Sequence, residues 1–348
     1  MKSVLLKGPG EVVFQDIPVP EVSADDVLVE VKYCGICGSD IHSVPECNLY
    51  QAGAYLGHEF SGVIVKVGQN VKTWKKGDRV VANPLYICGE CYGCQHGRWC
   101  DIGADAAIGV TPGLEYAGAF AKYVRVPLPE RRLYRLPDEV SFEEGALVEP
   151  LACSLHAVRI SAFRARGQTM VLGAGMIGLG VIAHLKNAGA GLIIVTETLP
   201  NRAKMAKKLG ADYVFNPIEV TDLKEKVLEL TGGKGIDIVF DCSGIPAAFK
   251  SATGFLRKGG QLLLKGIIPS EVPILPMDFV FSEWEIKGSL CYYADEFPMV
   301  IEFMKRGISP VKELITSKIK LSEIITKGFD VLLKPGNSEI KVLVAPDE

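Results

Sequence analysis

The stretch Gln168-Thr-Met-Val-Leu-Gly-Ala-Gly-Met-Ile-Gly178, QTMVLGAGMIG, sets an apolar run directly against glycines spaced as GxGxxG. The run reads as a buried strand, and the residues after Gly175 carry the spacing of a helix that continues to Gly189. At a strand-to-helix turn of this kind, Gly173 and Gly175 allow a tight turn and close approach of a pyrophosphate to the backbone. Gly178 lets helix and strand pack closely, and Ile177 lies in the first turn between them. The negative charge of the ligand then meets the helix N-terminus. A lone GxGxxG is weak, so its surroundings decide what it means.

Those surroundings alternate. After Gly189 come the strand GLIIVTE, a helix over Pro200–Leu209, the strand DYVFN and a helix near Leu223–Leu230. DIVFDCSG, a helix ending near Leu256, QLLLKG and EIKGSL complete the series. Strands alternating with helices indicate a doubly wound parallel sheet. Glu197 closes the strand after the glycine turn, where a carboxylate can hydrogen-bond an adenosine ribose and repel a 2′-phosphate, favouring NAD over NADP. Arg202 lies nearby and could stack on adenine, contact the ribose, or serve NADP.

The first ~150 residues read differently. DDVLVEVKYCG, SGVIVKVGQNV and KKGDRVVANPL alternate at period two between glycines and prolines, the pattern of antiparallel strands. No long helical period appears, so this region reads as a β-barrel-like domain carrying loops. The turnover comes at VEPLACSLHAVRIS, a helix with Pro150 in its first turn. From about Cys291 the alternation lapses. A helix (Pro298–Arg306) and the strand IKVLVAP remain, too little for a domain, and they are expected to rejoin the first one.

With 348 residues, the chain is long enough for two domains. A formal net charge of −3 argues against nucleic acid or an anionic membrane as partner. The longest apolar run, Met170 to Ala183, falls short of the roughly 18 residues that suggest a membrane span. No signal peptide is read at MKSVLLKGPGEVV, and a cytoplasmic location is expected. Of the ten cysteines, Cys47, Cys153, Cys242 and Cys291 are isolated and read as packing thiols. Cys88, Cys91, Cys94 and Cys100 cluster without a histidine pattern. Four thiolates suit a closed tetrahedral zinc site that contributes folding energy, with an iron–sulfur cluster or disulfides as alternatives. Tyr86, Tyr92 and Trp99 read as packing around them. The stretch CGICGSDIH (Cys34–His42) leaves open a redox pair or a single metal-binding cysteine with partners elsewhere, for which His58 and Glu59 of LGHEFSG are candidates.

Taken together, CGICGSDIH, GHEFSG, the Val67–Val80 pattern VGxxVxxxxxGDRV, the four cysteines, GAFAKYV, VEPLACSLHAVR, GAGMIG and DCSG resemble the zinc-dependent medium-chain alcohol/polyol dehydrogenase family over essentially the whole chain. The resemblance implies an α/β fold with a GroES-like β-barrel catalytic domain (1–152 and 293–348), a structural-zinc lobe at about 86–101, and a Rossmann domain (153–292). It implies one catalytic and one structural Zn²⁺, with NAD as cofactor. Cys37 and His58 would bind the catalytic zinc, with Glu59 completing the shell in some states and Glu149 doing so directly or through water, as in sorbitol-type members. Ser39 matches the hydroxyl that bonds the substrate oxygen, His42 the proton relay, and Asp40 the carboxylate that orients the zinc-binding imidazole. Cys34 is then a buried neighbour.

The implied reaction is transfer of hydride between NAD and a secondary alcohol of a polyol, sugar alcohol or vicinal diol, by a homotetramer or homodimer. Glu149 aligns the chain with the sorbitol and butanediol branch. SLCYYADEF lacks the arginine-tyrosine pair of sorbitol-type enzymes and looks closer to diol and polyol members. The x5 spacing before Cys100, where relatives have x7, predicts a tighter lobe and makes Cys100 the weakest ligand assignment. Oxidation of an amino alcohol, as by threonine 3-dehydrogenases, is one alternative. Others are a zinc-free quinone-reductase-like member and a non-enzymatic binding relative, and the intact Cys37/His58/Glu59 set argues against both.

Overall fold

A computed structural model of the chain describes residues 1–103, 106–308 and 311–347. It divides into two compact units, Met1–Pro150 with Tyr293–Glu348, and Leu151–Tyr292. In chain order the first unit opens with β1 (Lys2–Gly8), β2 (Glu11–Asp16), β3 (Asp26–Gly35), β4 (Ala54–Tyr55), β5 (Glu59–Val67), β6 (Arg79–Ala82), β7 (Tyr123–Pro127) and β8 (Leu133–Arg135). The second unit contains β9 (Gln168–Leu172), β10 (Leu192–Thr196), β11 (Tyr213–Phe215), β12 (Ile236–Asp241), β13 (Leu256–Leu264) and β14 (Glu285–Gly288). The chain then returns to the first unit with β15 (Ile315–Lys320) and β16 (Lys341–Ala345).

In the first unit a seven-stranded sheet runs β15-β16-β3-β5-β6-β8, with β7 added on β3, and a smaller sheet runs β2-β1-β4. The period-two pattern of β3 and β5 is what pairs them: Val27 faces Val67 and Val31 faces Gly62, and Val27, Val29 and Val31 are buried in one core with Ile64 and Val80. The C-terminal strand enters this sheet as expected, with Leu343 and Val344 paired to Gly35 and Cys34. Cys34 is 1% exposed within the same core.

The second unit is a parallel sheet in the order β11-β10-β9-β12-β13-β14. Its strands are near-continuous apolar runs because both faces are covered. The helices Pro200–Lys208, Pro246–Ala252 and Pro276–Ser282 each begin with proline, whose missing N–H costs nothing in a first turn. The order reverses between β9 and β12, which places the glycine turn after β9 at the switch point where such sheets bind ligands.

Two readings need adjustment, and one boundary holds. The stretch after Cys37 is no loop: Gly38–Glu46 is a helix, with Pro45 near its end. It is too short and too polar to show an apolar period. The helix before β13 spans Pro246–Ala252 and continues as a 3-10 turn, Thr253–Phe255, up to Leu256, where it was expected to end. The later helix spans Glu296–Lys305. Among the described residues, no helix is long and apolar enough to cross a membrane.

Glycine in a central strand marks close backbone contact. A Cβ on Gly62 would lie 2.2 Å from the Glu30 carbonyl oxygen, whereas one on Gly254 would meet nothing within 4 Å. Gly62→Ala should therefore lower unfolding free energy by about 1–3 kcal/mol, the usual cost of overpacking. Gly254→Ala should be neutral or stabilise by up to about 1 kcal/mol. Denaturant midpoints measure both, and equal midpoints would contradict this packing.

Candidate functional site

The first cluster forms where β3 ends. Ile36 N–H donates to Val342 O, and Cys37 then caps the helix Gly38–Glu46. The Cys37 N–H donates to Asp40 Oδ2 at 2.9 Å, which fixes the thiol beside the helix start. From the other side, Gly57 (φ +103°) turns the chain into β5, and a Cβ there would sit 2.5 Å from Phe120 N. That turn delivers His58 and Glu59, both buried. One ligand atom each from Cys37, His58 and Glu59 lies within 4.8 Å of the others.

The donor set suits a cation. Burial, then the Glu59 carboxylate, push the Cys37 thiol above its ordinary pKa, so a thiolate there needs positive charge beside it. Thiolate, imidazole and carboxylate are the mixed ligands of an open zinc site. His58 Nδ1 faces Asp40 Oδ1 at 3.7 Å, an ion-pair distance and too long for a hydrogen bond. Burial disfavours the His58 cation, but Asp40 and Cys37 together outweigh it and raise the pKa well above the ordinary value. Glu149, in the first turn of the helix Val148–Ile160, is buried and also raises the His58 pKa, though it is not one of the three clustered donors. Ser39 is half-buried and His42 exposed, three residues apart on the helix after Cys37.

Two partners of this cluster escaped sequence reasoning. Lys341, 3% exposed, donates to Glu59 Oε1 at 2.8 Å, to Oε2 at 2.5 Å and to Ile36 O at 3.0 Å. A lysine inside the strand IKVLVAP was the available signal. Tyr50, 7% exposed, donates from its phenol to Ser39 Oγ at 2.6 Å and sets its ring edge-on to His58, centroids 6.2 Å apart. Nothing in the sequence pattern marks it.

The second cluster is Cys88, Cys91, Cys94 and Cys100, whose sulfurs all lie within 4.8 Å of one another. Backbone N–H groups point at the sulfurs: Glu90 and Cys91 donate to Cys88, Cys94 and Asp101 to Cys91, and Cys88 to Cys100. Hydrogen bonds from the Glu90 and Cys91 N–H groups, in that order, pull the Cys88 thiol down to about 6. Such donors stabilise thiolates, the form that binds metal. Cys100 takes its place with the rest. Arg131 bonds the Cys88 carbonyl, and the fully buried Arg132 bonds the carbonyls of Asn83 and Pro84, fastening the base of the lobe. Tyr92 does not pack around the sulfurs; it is 64% exposed and stacks on His96.

The glycine turn in the second unit is built as a cradle. Gly173 has φ +85°, and a Cβ on it would press on Ser243 Cα at 3.0 Å. A Cβ on Gly178 would collide with Gly173 O, so the helix packs tightly on the turn. At Gly175, the helix N-cap, a Cβ would meet only Arg202 Nη1 at 4.0 Å, leaving backbone open to a phosphate. Ile177 is half-buried in that first turn, and its carbonyl accepts from Ser154 Oγ. Glu197 is 8% exposed, and its carboxylate accepts the N–H groups of Ala174, Thr198 and Leu199, each at 2.8 Å. It thus ties the glycine turn to the next strand, a role that spacing alone did not reveal.

Comparison with known proteins agrees with both halves. Residues 23–138 match the alcohol dehydrogenase GroES-like domain, and residues 177–306 match the zinc-binding dehydrogenase family. The chain is 36% identical to (R,R)-butanediol dehydrogenase of Bacillus subtilis, covering 100% of each. It is 34% identical to sorbitol dehydrogenase of the same species, covering 100% of this chain and 98% of that one. A putative zinc-binding dehydrogenase of Sinorhizobium meliloti, solved bound to NADP, superposes with a TM-score of 0.88 at 30% identity over 99% of each chain. With its GroES-like and Rossmann units, the chain belongs to the zinc-dependent medium-chain alcohol/polyol dehydrogenase family, whose members pair zinc with a pyridine nucleotide.

Proposed function

We propose that this enzyme oxidises a secondary alcohol of a vicinal diol, polyol or sugar alcohol to the ketone with NAD, and runs the reverse reduction. The observation that carries the reading is the mixed Cys37/His58/Glu59 donor set, two residues from the Ser39 hydroxyl, in a chain that also carries the Gly173–Gly178 cradle. The similarity to butanediol and sorbitol dehydrogenases supports the substrate class. In this reading residues 1–152 and 293–348 are the catalytic domain and 153–292 the nucleotide domain. Cys37 and His58 hold the catalytic zinc. Glu59, whose oxygens Lys341 also engages, and Glu149, buried in the same unit, are the two carboxylates that would complete the set. The four lobe cysteines hold a second, structural zinc.

When bound, the metal acidifies an alcohol hydroxyl and the nicotinamide accepts hydride. The chain's residues do the rest. Ser39 Oγ takes the substrate hydroxyl proton while its own proton leaves, and His42, exposed on the same helix, hands a proton to solvent. Asp40, buried beside His58, keeps the imidazole oriented. Gly173, Gly175, Ile177 and Gly178 receive the pyrophosphate. Glu197 bonds the adenosine ribose and excludes a 2′-phosphate, and Arg202 lies against the same turn. The enzyme works as a homotetramer or homodimer. Support comes from the exposed Leu275, Met277, Val280 and Phe281 on and just before the helix Pro276–Ser282, an apolar surface a second copy would cover. A cytoplasmic location completes the reading.

Three outcomes test it. Cys37→Ala should abolish activity and lower zinc from about two to about one per chain with little change in thermal midpoint, because an open site contributes less to folding than a closed thiolate site. Cys91→Ala should lower the midpoint first. An inactive but normally stable Cys91→Ala protein would contradict the division of labour.

For the cofactor, kcat/KM should favour NAD over NADP by about 10-fold or more, one repulsive contact's worth. Glu197→Ala should narrow that ratio and raise KM for both, since Ala174 N–H loses its acceptor. A ratio unchanged by the substitution would assign selectivity to Arg202.

Across a panel of vicinal diols, polyols, sugar alcohol phosphates and threonine, NADH formation should be fastest with a diol or polyol. On the best of these, Ser39→Ala should cost about 10²–10⁴-fold in kcat/KM, as general acid–base losses do. His42→Ala should cost less, most near neutral pH, recovering at alkaline pH where solvent base substitutes. A His42→Ala profile parallel to wild type from pH 6 to 10 would remove His42 from the relay.

A further inference from the structure

The helix after Cys37 ends at Cys47, whose left-handed conformation (φ 51°) reverses the chain, and the Cys47 N–H closes on Ser43 O. Ser43 then pins both arms of the reversal. Its hydroxyl donates to Ser39 O at 2.8 Å and accepts the Tyr50 N–H at 3.1 Å. Tyr50 is thereby brought back along the helix until its phenol reaches Ser39 Oγ at 2.6 Å, while its ring edge meets His58. Both Ser43 and Tyr50 are buried, so this is a fixed arrangement inside the unit. Among the described residues, Tyr50 is the hydrogen-bond partner of Ser39 Oγ.

The direction of that bond follows from acidity. A phenol, with an ordinary pKa near ~10, is a much stronger acid than an aliphatic alcohol, so Tyr50 is the donor and Ser39 the acceptor. With one lone pair of Ser39 Oγ taken, its other lone pair and its own proton remain for partners on the open side. We infer that Tyr50 is a positioning residue for the proton transfer: its phenol fixes the rotamer of the Ser39 hydroxyl and leaves one lone pair facing the substrate hydroxyl. In oxidation the substrate O–H bond breaks and its proton joins Ser39 Oγ as the Ser39 proton leaves for water. One proton passes from substrate to solvent, and Tyr50 neither gains nor loses one. Reduction runs the same transfer backwards. The inference rests on the reading of Ser39 given above.

A double-mutant cycle over Tyr50→Phe and Ser39→Ala separates the two. Both single variants, the double variant and wild type would be assayed for kcat and KM on the best panel substrate, with zinc content and thermal midpoint measured on each. Tyr50→Phe keeps the ring against His58 and removes only the donor. It should lower kcat about 10-fold with little change in KM, the size of one neutral hydrogen bond, with zinc content and midpoint at wild-type values. In the Ser39→Ala background the same substitution should have no further effect, within about 2-fold, because the two act as one unit. An equal loss in both backgrounds, or zinc or stability lost with the phenol, would make Tyr50 structural and overturn the inference. A Tyr50→Phe enzyme with full kcat beside a crippled Ser39→Ala enzyme would overturn it while leaving Ser39's role standing. A fully active Ser39→Ala enzyme would overturn both.

Discussion

The buried ion pair between Lys341 and Glu59 holds together the corner of the first unit where Cys37, His58 and Glu59 meet. All three ammonium donors are used, two on the carboxylate and one on Ile36 O, and the side chains are 3% and 1% exposed. Burying either charge alone would be costly, and removing one partner of such a pair typically costs about 3–5 kcal/mol. The pair therefore requires the C-terminal strand to lie beside β3, one strand from β5, after the chain has completed an entire second unit. It also fixes the backbone at Ile36, immediately before Cys37. Fold and site are set by one contact, which also leaves Gly35 no room for a side chain: a Cβ there would stand 2.2 Å from Glu59 Oε2.

This contact bears on which carboxylate serves the metal. Glu59 is spatially a donor of the cluster and electrostatically a partner of Lys341. Its charge balances the ammonium, so engaging a metal with it would cost the lysine its counter-charge. Glu149 acts through space on the same imidazole, and on Lys341 as well. In the proposed reading, two carboxylates near one imidazole and one thiol would complete the ligand set between them. In the same reading Tyr50 and Asp40 would play comparable parts for Ser39 and His58, the first through a hydrogen bond and the second through its charge.

Much of this was legible in the residues. The GxGxxG turn, the acidic strand end at Glu197 and the period-two strands each carry a local signal, because one backbone geometry demands one residue type. The four cysteines announce themselves by chemistry and spacing. The helix after Cys37 did not, since it is short, polar and held by a cap and a local hydroxyl network more than by an apolar face. Lys341, marked only as a lysine in an apolar strand, and Tyr50, not marked at all, were missed for a different reason. Their roles are pairings, one across nearly the whole chain and one across a left-handed reversal at Cys47, and neither leaves a periodic mark. Glu197's grip on Ala174 N–H is of the same kind: the residue was read, its second task was not.

The central claim is that two chemically different donor sets in one chain hold two metals with different duties. Anomalous diffraction at the zinc edge from crystals of the purified protein tests this directly. The account predicts two peaks per chain, one bounded by Cys37 and His58 and one enclosed by Cys88, Cys91, Cys94 and Cys100. A single peak in the four-cysteine lobe, with none at Cys37 and His58 in fully active protein, would contradict it.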